Sequence, residues 1–202
     1  MNAQATSTTG HDVRAVILDA AQARLLQFGY HKTTMAEIAV DAGMSAANLY
    51  RYFANKEEIA AECATRCMNE RLDRLRLVAG EKDVSASRRL ASYAVELLHD
   101  SHALAGADSK IGELVATITR QRPALVHKKM AVHHELLAAI LQDGVDSGEF
   151  AIADVAGTAV DVYTTFVLFD VPLFVGLFPR AEFEARAAGV VRLLVDGLRK
   201  PS

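Results

Sequence analysis

Residues 33–58 read TTMAEIAVDAGMSAANLYRYFANKEE, and this stretch restricts the fold more than any other part of the chain. Thr34 is followed three residues later by Glu37, the capping-box pattern in which a Thr side chain caps a helix and the Glu reaches back. Ala36, Ile38, Ala39 and Ala42 give that helix a small apolar face. Gly43 stands where the helix must stop, because Gly alone enters the left-handed region without a Cβ penalty. Ser45 can cap a second helix over 46–52. Asn55 can cap a third, with Glu57 and Glu58 in its first turn where the helix dipole favours acids. Two short helices meeting steeply across a tight turn make a helix-turn-helix. In that motif the second helix lies in the major groove of double-stranded DNA.

Helical spacing continues on both sides. Val13, Val16, Ile17, Ala20, Ala21, Leu25 and Phe28 predict a helix over 12–28, ended by Gly29. The helix capped by Asn55 runs to about 78, and 80–87 is a polar break. Further helices are expected over 87–104, over 109–120 after a break at 106–108, and from Pro123 to about 147. Asp154 caps the next, which ends near 176–179 with a kink or early stop at Pro172. The last covers 181–198. No strand alternation and no internal repeat appear. The expectation is an all-α fold of about nine helices: a disordered arm over 1–11, a helix-turn-helix head over 12–56, and a larger helical body over 57–202.

Only four of the 202 residues are Pro, which suits long helices. No run approaches the roughly 18–20 apolar residues of a membrane span. The start of the chain is small and polar, unlike a secretory signal. The two cysteines, Cys63 and Cys67, then read as reduced thiols of a cytoplasmic protein, and no further ligands make them a metal site. The net charge is −3, yet residues 1–56 hold five Lys or Arg against four Asp or Glu. A head this weakly basic must rely on a few placed cations, helix N-termini and dimerisation to hold DNA.

The order Thr-Thr, Ile-Ala, Ala-Gly-Met-Ser, Leu-Tyr-Arg-Tyr-Phe and Asn-Lys-Glu-Glu resembles the DNA-binding signature of the TetR family of bacterial transcriptional regulators. The match runs from about Val13 to Ile59, and beyond it the likeness is only one of length and helical texture. Within the second helix, Leu49 and Phe53 should pack inward, leaving Ser45, Ala46, Ala47, Asn48, Tyr50, Arg51 and Tyr52 toward DNA or solvent. Asn48 can pair with adenine and Arg51 can reach guanine. The resemblance implies phosphate contacts at Thr33, Thr34, Tyr50, Tyr52 and Lys56.

The same resemblance implies a small-molecule effector in the body and a homodimer built from the last two helices. One short recognition helix cannot specify an operator, whereas a twofold dimer with heads about 34–36 Å apart reads a palindrome. Polar groups on otherwise apolar helices, with the aromatic Phe166 as pocket lining, make a shortlist for the effector: Tyr93, His99, His102, Thr117, Arg120, Asp161, Tyr163 and Phe166. His99 and His102 share a helix face, but two ligands are too few for a metal site. Asp161, on an apolar helix, needs a partner such as Arg120 or a ligand cation if it is buried, and surface exposure would end that reading. No nucleophile motif, glycine-rich phosphate loop or catalytic carboxylate pair is present, so an enzyme is not expected, and no cofactor is implied. The leading reading is a dimeric repressor released from its operator by a small molecule. The alternative is a nucleoid-associated or structural DNA-binding protein of the same fold, acting through a protein partner.

Overall fold

A computed structural model describes residues 5–105 and 110–199, with side chains in the first helix from Val13 onward. Its elements are α1 (Ala5–Phe28), α2 (Met35–Asp41), α3 (Ala46–Leu49), α4 (Lys56–Gly80), α5 (Ala86–Leu104), α6 (Ile111–Gln121), α7 (Pro123–Asp146), α8 (Val155–Asp170), a 3-10 segment (Pro172–Leu177) and α9 (Arg180–Leu198). The all-α expectation holds: the described residues form no strand, only one isolated antiparallel bridge between Phe150 and Arg199. None of their helices is long and apolar enough to cross a membrane.

The chain divides into two compact units, Met1–Cys67 with Ala107–Leu125, and Met68–Gly106 with Val126–Ser202. This partition differs from a single cut between 56 and 57. α6 clusters with the N-terminal helices, where the Lys110 N–H donates to the Leu26 carbonyl at 2.7 Å. Sequence order alone puts α6 in the body, because its contacts with α1 are distant in the chain.

In the first unit α1 packs on α2 and α6, and α2 packs on α3. Ile17, Ala21 and Leu25 of α1 are fully buried, as are Ile38, Leu49, Phe53 and Ile59. Each large apolar side chain so buried contributes about 1.5–3 kcal/mol, which makes this spacing the main source of the unit's stability. Two boundaries differ from expectation. α1 already begins at Ala5, inside the segment expected as a disordered arm, because extending a nucleated helix costs little; residues 1–4 of that arm lie outside the described residues. α3 ends at Leu49 and not at 52. There the Arg51 and Tyr52 N–H groups tighten onto the Asn48 and Leu49 carbonyls at 3.1 and 2.9 Å, returning Phe53 to the core.

In the second unit α5 packs on α8, on the 3-10 segment and on α9. Leu90, Tyr93 and Leu97 of α5 share a core with Leu137 and Leu141 of α7, Phe166 and Phe169 of α8, and Phe183 of α9. Asp154 caps α8 as expected, accepting the Gly157 N–H at 2.9 Å. Pro172 ends that helix at Asp170, because the residue before a proline is pushed to the extended conformation Val171 adopts. The break expected at 106–108 and the helix start expected at 109 lie outside the described residues.

Candidate functional site

The helix-turn-helix is built by bonds between near neighbours in sequence. Thr34 Oγ1 accepts the Glu37 N–H at 3.3 Å, and the Glu37 carboxylate accepts the Thr34 N–H at 2.9 Å and its hydroxyl at 2.8 Å. This is the capping box read from the sequence, and the Thr34 hydroxyl holds the Glu37 carboxyl below its ordinary range. At the other end of α2 the Met44 N–H reaches the Ala39 carbonyl and the Gly43 N–H reaches the Val40 carbonyl. That is the Schellman arrangement, and Gly43 supplies its left-handed residue at φ +68°. Ser45 Oγ then accepts the Asn48 N–H at 3.2 Å, and Asn55 Oδ1 accepts the Glu58 N–H at 2.8 Å. Both ends of the turn are thereby fixed, so α3 is presented at a set angle.

The face so presented carries most of the expected residues. Leu49 and Phe53 are buried. Ser45, Ala47, Tyr50 and Arg51 are exposed, and Ala46, Asn48 and Tyr52 are half-buried. The Tyr52 carbonyl is held by Arg14, which also pairs with Glu62. Several cations of this unit differ in how they are held. Arg14, Arg24 and Arg66 are tied to Glu62, to Glu37 and Asp41, and to Asp19. Arg51 and Lys32 are exposed and make no ion pair among the described residues. Sequence reading missed Lys32. The available signal was its position directly before Thr33 and Thr34, at the entrance to α2.

Two residues expected at phosphate make bonds within the head. Thr33 is fully buried, and its hydroxyl donates to the Gly29 carbonyl at 2.8 Å. Lys56 is drawn inward, with Nζ donating to the Tyr30 and Thr33 carbonyls at 2.8 Å each and lying 4.3 Å from the centre of the Tyr30 ring. Its charge holds the turn between α1 and α2, because those carbonyls have no helix to bond them. Tyr30 in turn donates its hydroxyl to Glu57 at 2.9 Å, and burial pushes the phenol up to about 12. Cys63 is buried with its thiol on the Leu18 carbonyl, and burial pushes it up to about 12 as well, which keeps it protonated and inert.

The second unit brings together three of the shortlisted effector residues. Tyr93, Tyr163 and Phe166 are buried, with the Tyr93 and Phe166 rings stacked at 6.4 Å. His133 joins them: its Nδ1 lies 2.7 Å from the Tyr93 hydroxyl and its ring stacks on Tyr163 at 4.5 Å. Of the adjacent pair His133 and His134 it is the more deeply buried, and burial lowers its pKa to about 3, so it is neutral. The Tyr163 hydroxyl donates to Asp170 at 2.8 Å, and Asp170 is also paired with Arg71 at 3.0 Å and Lys129 at 2.5 Å. Despite its burial, these two cations hold the Asp170 carboxyl well below the usual carboxylate range.

The other shortlisted residues lie elsewhere. His99 is exposed and His102 half-buried, on a groove of about 370 Å³ that Arg180 and Glu184 also line. Ligand atoms of Glu96, His99 and Asp100 come within 4.8 Å of one another, but Arg74 already bonds both carboxylates, which leaves little for a metal ion. Thr117 is buried and Arg120 exposed on α6 of the first unit, and neither is a member of the tyrosine–histidine cluster. Asp161 is corrected: it is on the surface and needs no buried partner. The buried acid of α8 is Asp170, nine residues on.

Residues 17–63 match a family model described as bacterial regulatory proteins, tetR family, and residues 86–191 match one described as tetracyclin repressor-like, C-terminal domain. The fatty acid metabolism regulator protein of Bacillus subtilis (strain 168) is 24% identical over 194 residues, covering 90% of this chain and 93% of its own. The fold is similar to that of a transcriptional regulator, FadR, from Bacillus subtilis in complex with stearoyl-CoA, at TM-score 0.64 and 25% identity over 92% of this chain and 99% of that one. It is also similar to that of a TetR-family transcriptional regulator from Pectobacterium atrosepticum, at TM-score 0.72 and 18% identity over 96% and 98%.

Proposed function

Because the chain belongs to the TetR family of DNA-binding transcription regulators, we propose that it is a cytoplasmic homodimeric repressor, released from a palindromic operator by a small-molecule effector bound in its second unit. The observation that carries the DNA half of this reading is the α2–α3 pair, capped at both starts and closed by Gly43, with Asn48, Tyr50 and Arg51 on its open side. In the major groove Asn48 reads adenine and Arg51 reads guanine or a phosphate. Tyr50, Tyr52, Thr34 and Lys32 take the backbone, and Ser45, Ala46 and Ala47 allow close approach.

Dimerisation through α8 and α9 is supported by apolar side chains that the second unit leaves in water. Leu193 of α9 is 77% exposed, and Val160, Leu173 and Leu177 on α8 and the 3-10 segment are exposed as well. Large exposed aliphatic groups are favourable to bury against a second copy. In this reading the effector sits at Tyr93, Tyr163 and Phe166 with His133, whose buried Nε2 finds no hydrogen-bond partner among the described residues. A mostly apolar site with an orphaned ring nitrogen suits a ligand that brings one polar atom inward. Release requires the effector to prefer a conformation whose heads are spaced wrongly for the operator, since equal affinity for both conformations shifts nothing. A nucleoid-associated role through a protein partner has no observation in its favour.

The test is selection of DNA by the purified protein from a random pool and its own upstream region, at low and moderate salt. Recovery of one palindrome that survives added salt is the expected result. Uniform recovery at low salt, with nothing held at moderate salt, would leave only phosphate-driven binding and overturn the repressor reading. Stearoyl-CoA, the ligand in the Bacillus subtilis FadR structure, is then the first probe for release, with CoA and stearate as separate arms.

A further inference from the structure

α6 lies inside the span 86–191 that matches the C-terminal family region, yet it clusters with the helix-turn-helix. The contact point is the turn between α1 and α2. Gly29 there has φ +89°, and a Cβ added to it would collide with the carboxylate of Glu113. Glu113 thus rests on a bare Cα, a position that a side chain at 29 would deny it. Its Oε2 also accepts the His31 N–H, at 3.4 Å, while the neighbouring Lys110 N–H bonds the Leu26 carbonyl at the end of α1. From α4, Lys56 holds the Tyr30 and Thr33 carbonyls and Glu57 holds the Tyr30 hydroxyl. The backbone of 29–33 is therefore gripped by the first turns of two helices, α4 and α6. His31 and Lys32 are left exposed on it, and Thr34 just after it.

We propose that Glu113 is a positioning residue for operator binding, which sets through the 29–33 turn where Lys32 and Thr34 stand against the DNA backbone. The proposal rests on the reading of the head as the DNA-binding surface. The sign of its effect is diagnostic. A carboxylate that merely happened to stand near the DNA-binding face would repel phosphate, so its removal would raise affinity. A carboxylate that holds the turn in register lowers affinity when it is removed, despite the gain in net positive charge.

Glu113→Ala, Glu113→Gln, Lys32→Ala and the double variant Glu113→Ala/Lys32→Ala are compared by fluorescence anisotropy on the operator selected by the wild-type protein, with thermal melts to confirm folding. Glu113→Ala weakens operator binding about three- to tenfold, the range expected for one backbone hydrogen bond. Glu113→Gln keeps an acceptor oxygen for the His31 N–H and recovers most of that loss. In the double variant the combined loss is smaller than the product of the single losses, because a displaced Lys32 has less to lose. Unchanged or tighter binding by Glu113→Ala, or losses that multiply, would overturn the proposal. If Glu113→Ala does not fold, Glu113→Leu carries the same expectation. A wild-type protein that selects no DNA would instead fail the head reading itself, which separates the two failures.

Discussion

In the first unit Thr34, Ser45 and Asn55 each bond a backbone N–H three residues ahead, whereas in the second Asp170 is paired with Arg71 from 99 positions away and Lys129 from 41. The first arrangement stiffens helix ends at little cost in buried charge. It also leaves Arg51 and Lys32 outside, hydrated and available to an anion. The second arrangement removes charges from water, and its stability then depends on every partner being present. A head that must bind a polyanion keeps its spare cations exposed. On the proposed function, the body holds a ligand and changes shape, and its buried polar groups make one altered proton or bond count heavily.

This contrast can be broken by mutation, and the sharpest break should come in the second unit. Asp170→Ala removes the buried carboxylate that Arg71, Lys129 and Tyr163 share and is expected to cost about 3–5 kcal/mol in urea unfolding. A cost below about 1 kcal/mol would show that the cluster is hydrated. Next comes acid sensitivity at His133. Its folded pKa is near 3, against about 6.5 when unfolded. Between those values the unfolded chain binds the proton and the folded one does not, so stability rises with pH. Wild-type protein should be about 2 kcal/mol more stable at pH 6.5 than at pH 5, and His133→Phe should remove most of that difference. Asp170 acts with the same sign at lower pH, its depressed pKa adding stability that is lost as pH falls below the ordinary carboxylate range.

The first unit should respond less. Thr34→Ala removes one cap and is expected to cost about 1 kcal/mol by the same unfolding measurement. If it cost as much as Asp170→Ala, the contrast between local and distant bonding would fail. Smallest of all, Asp161→Ala on the exposed face of α8 should stay within about 0.5 kcal/mol of wild type.

The same contrast explains what could be read from the sequence. The Thr34–Glu37 box, the Gly43 stop, and the Ser45, Asn55 and Asp154 caps are all legible, because each is an interaction between residues three to five apart. Helix order and the early end of α8 at Pro172 follow for the same reason. Asp161 passes for the buried acid of α8 because periodicity alone does not say which face of so apolar a helix turns inward, and Asp170 waits on Arg71 and Lys129 from distant helices. The bonds from Lys56 to the Tyr30 and Thr33 carbonyls have no local signal, since nothing near Lys56 in sequence shows that those carbonyls need a donor. The membership of α6 in the first unit has no local signal at all, being set by Lys110 and Glu113 against the far end of α1.

On the proposed function, exposed cations such as Lys32 and Arg51 carry operator binding while the ion-paired ones carry the fold. The salt dependence of operator affinity tests it most directly, because removing one phosphate-binding cation reduces the slope of log K against log salt by about one. Lys32→Ala and Arg51→Ala should each lower that slope by about one per protomer, whereas Arg66→Ala, which removes a cation tied to Asp19, should leave it unchanged. An unchanged slope for Lys32→Ala and Arg51→Ala, or an equal fall for Arg66→Ala, would contradict the account.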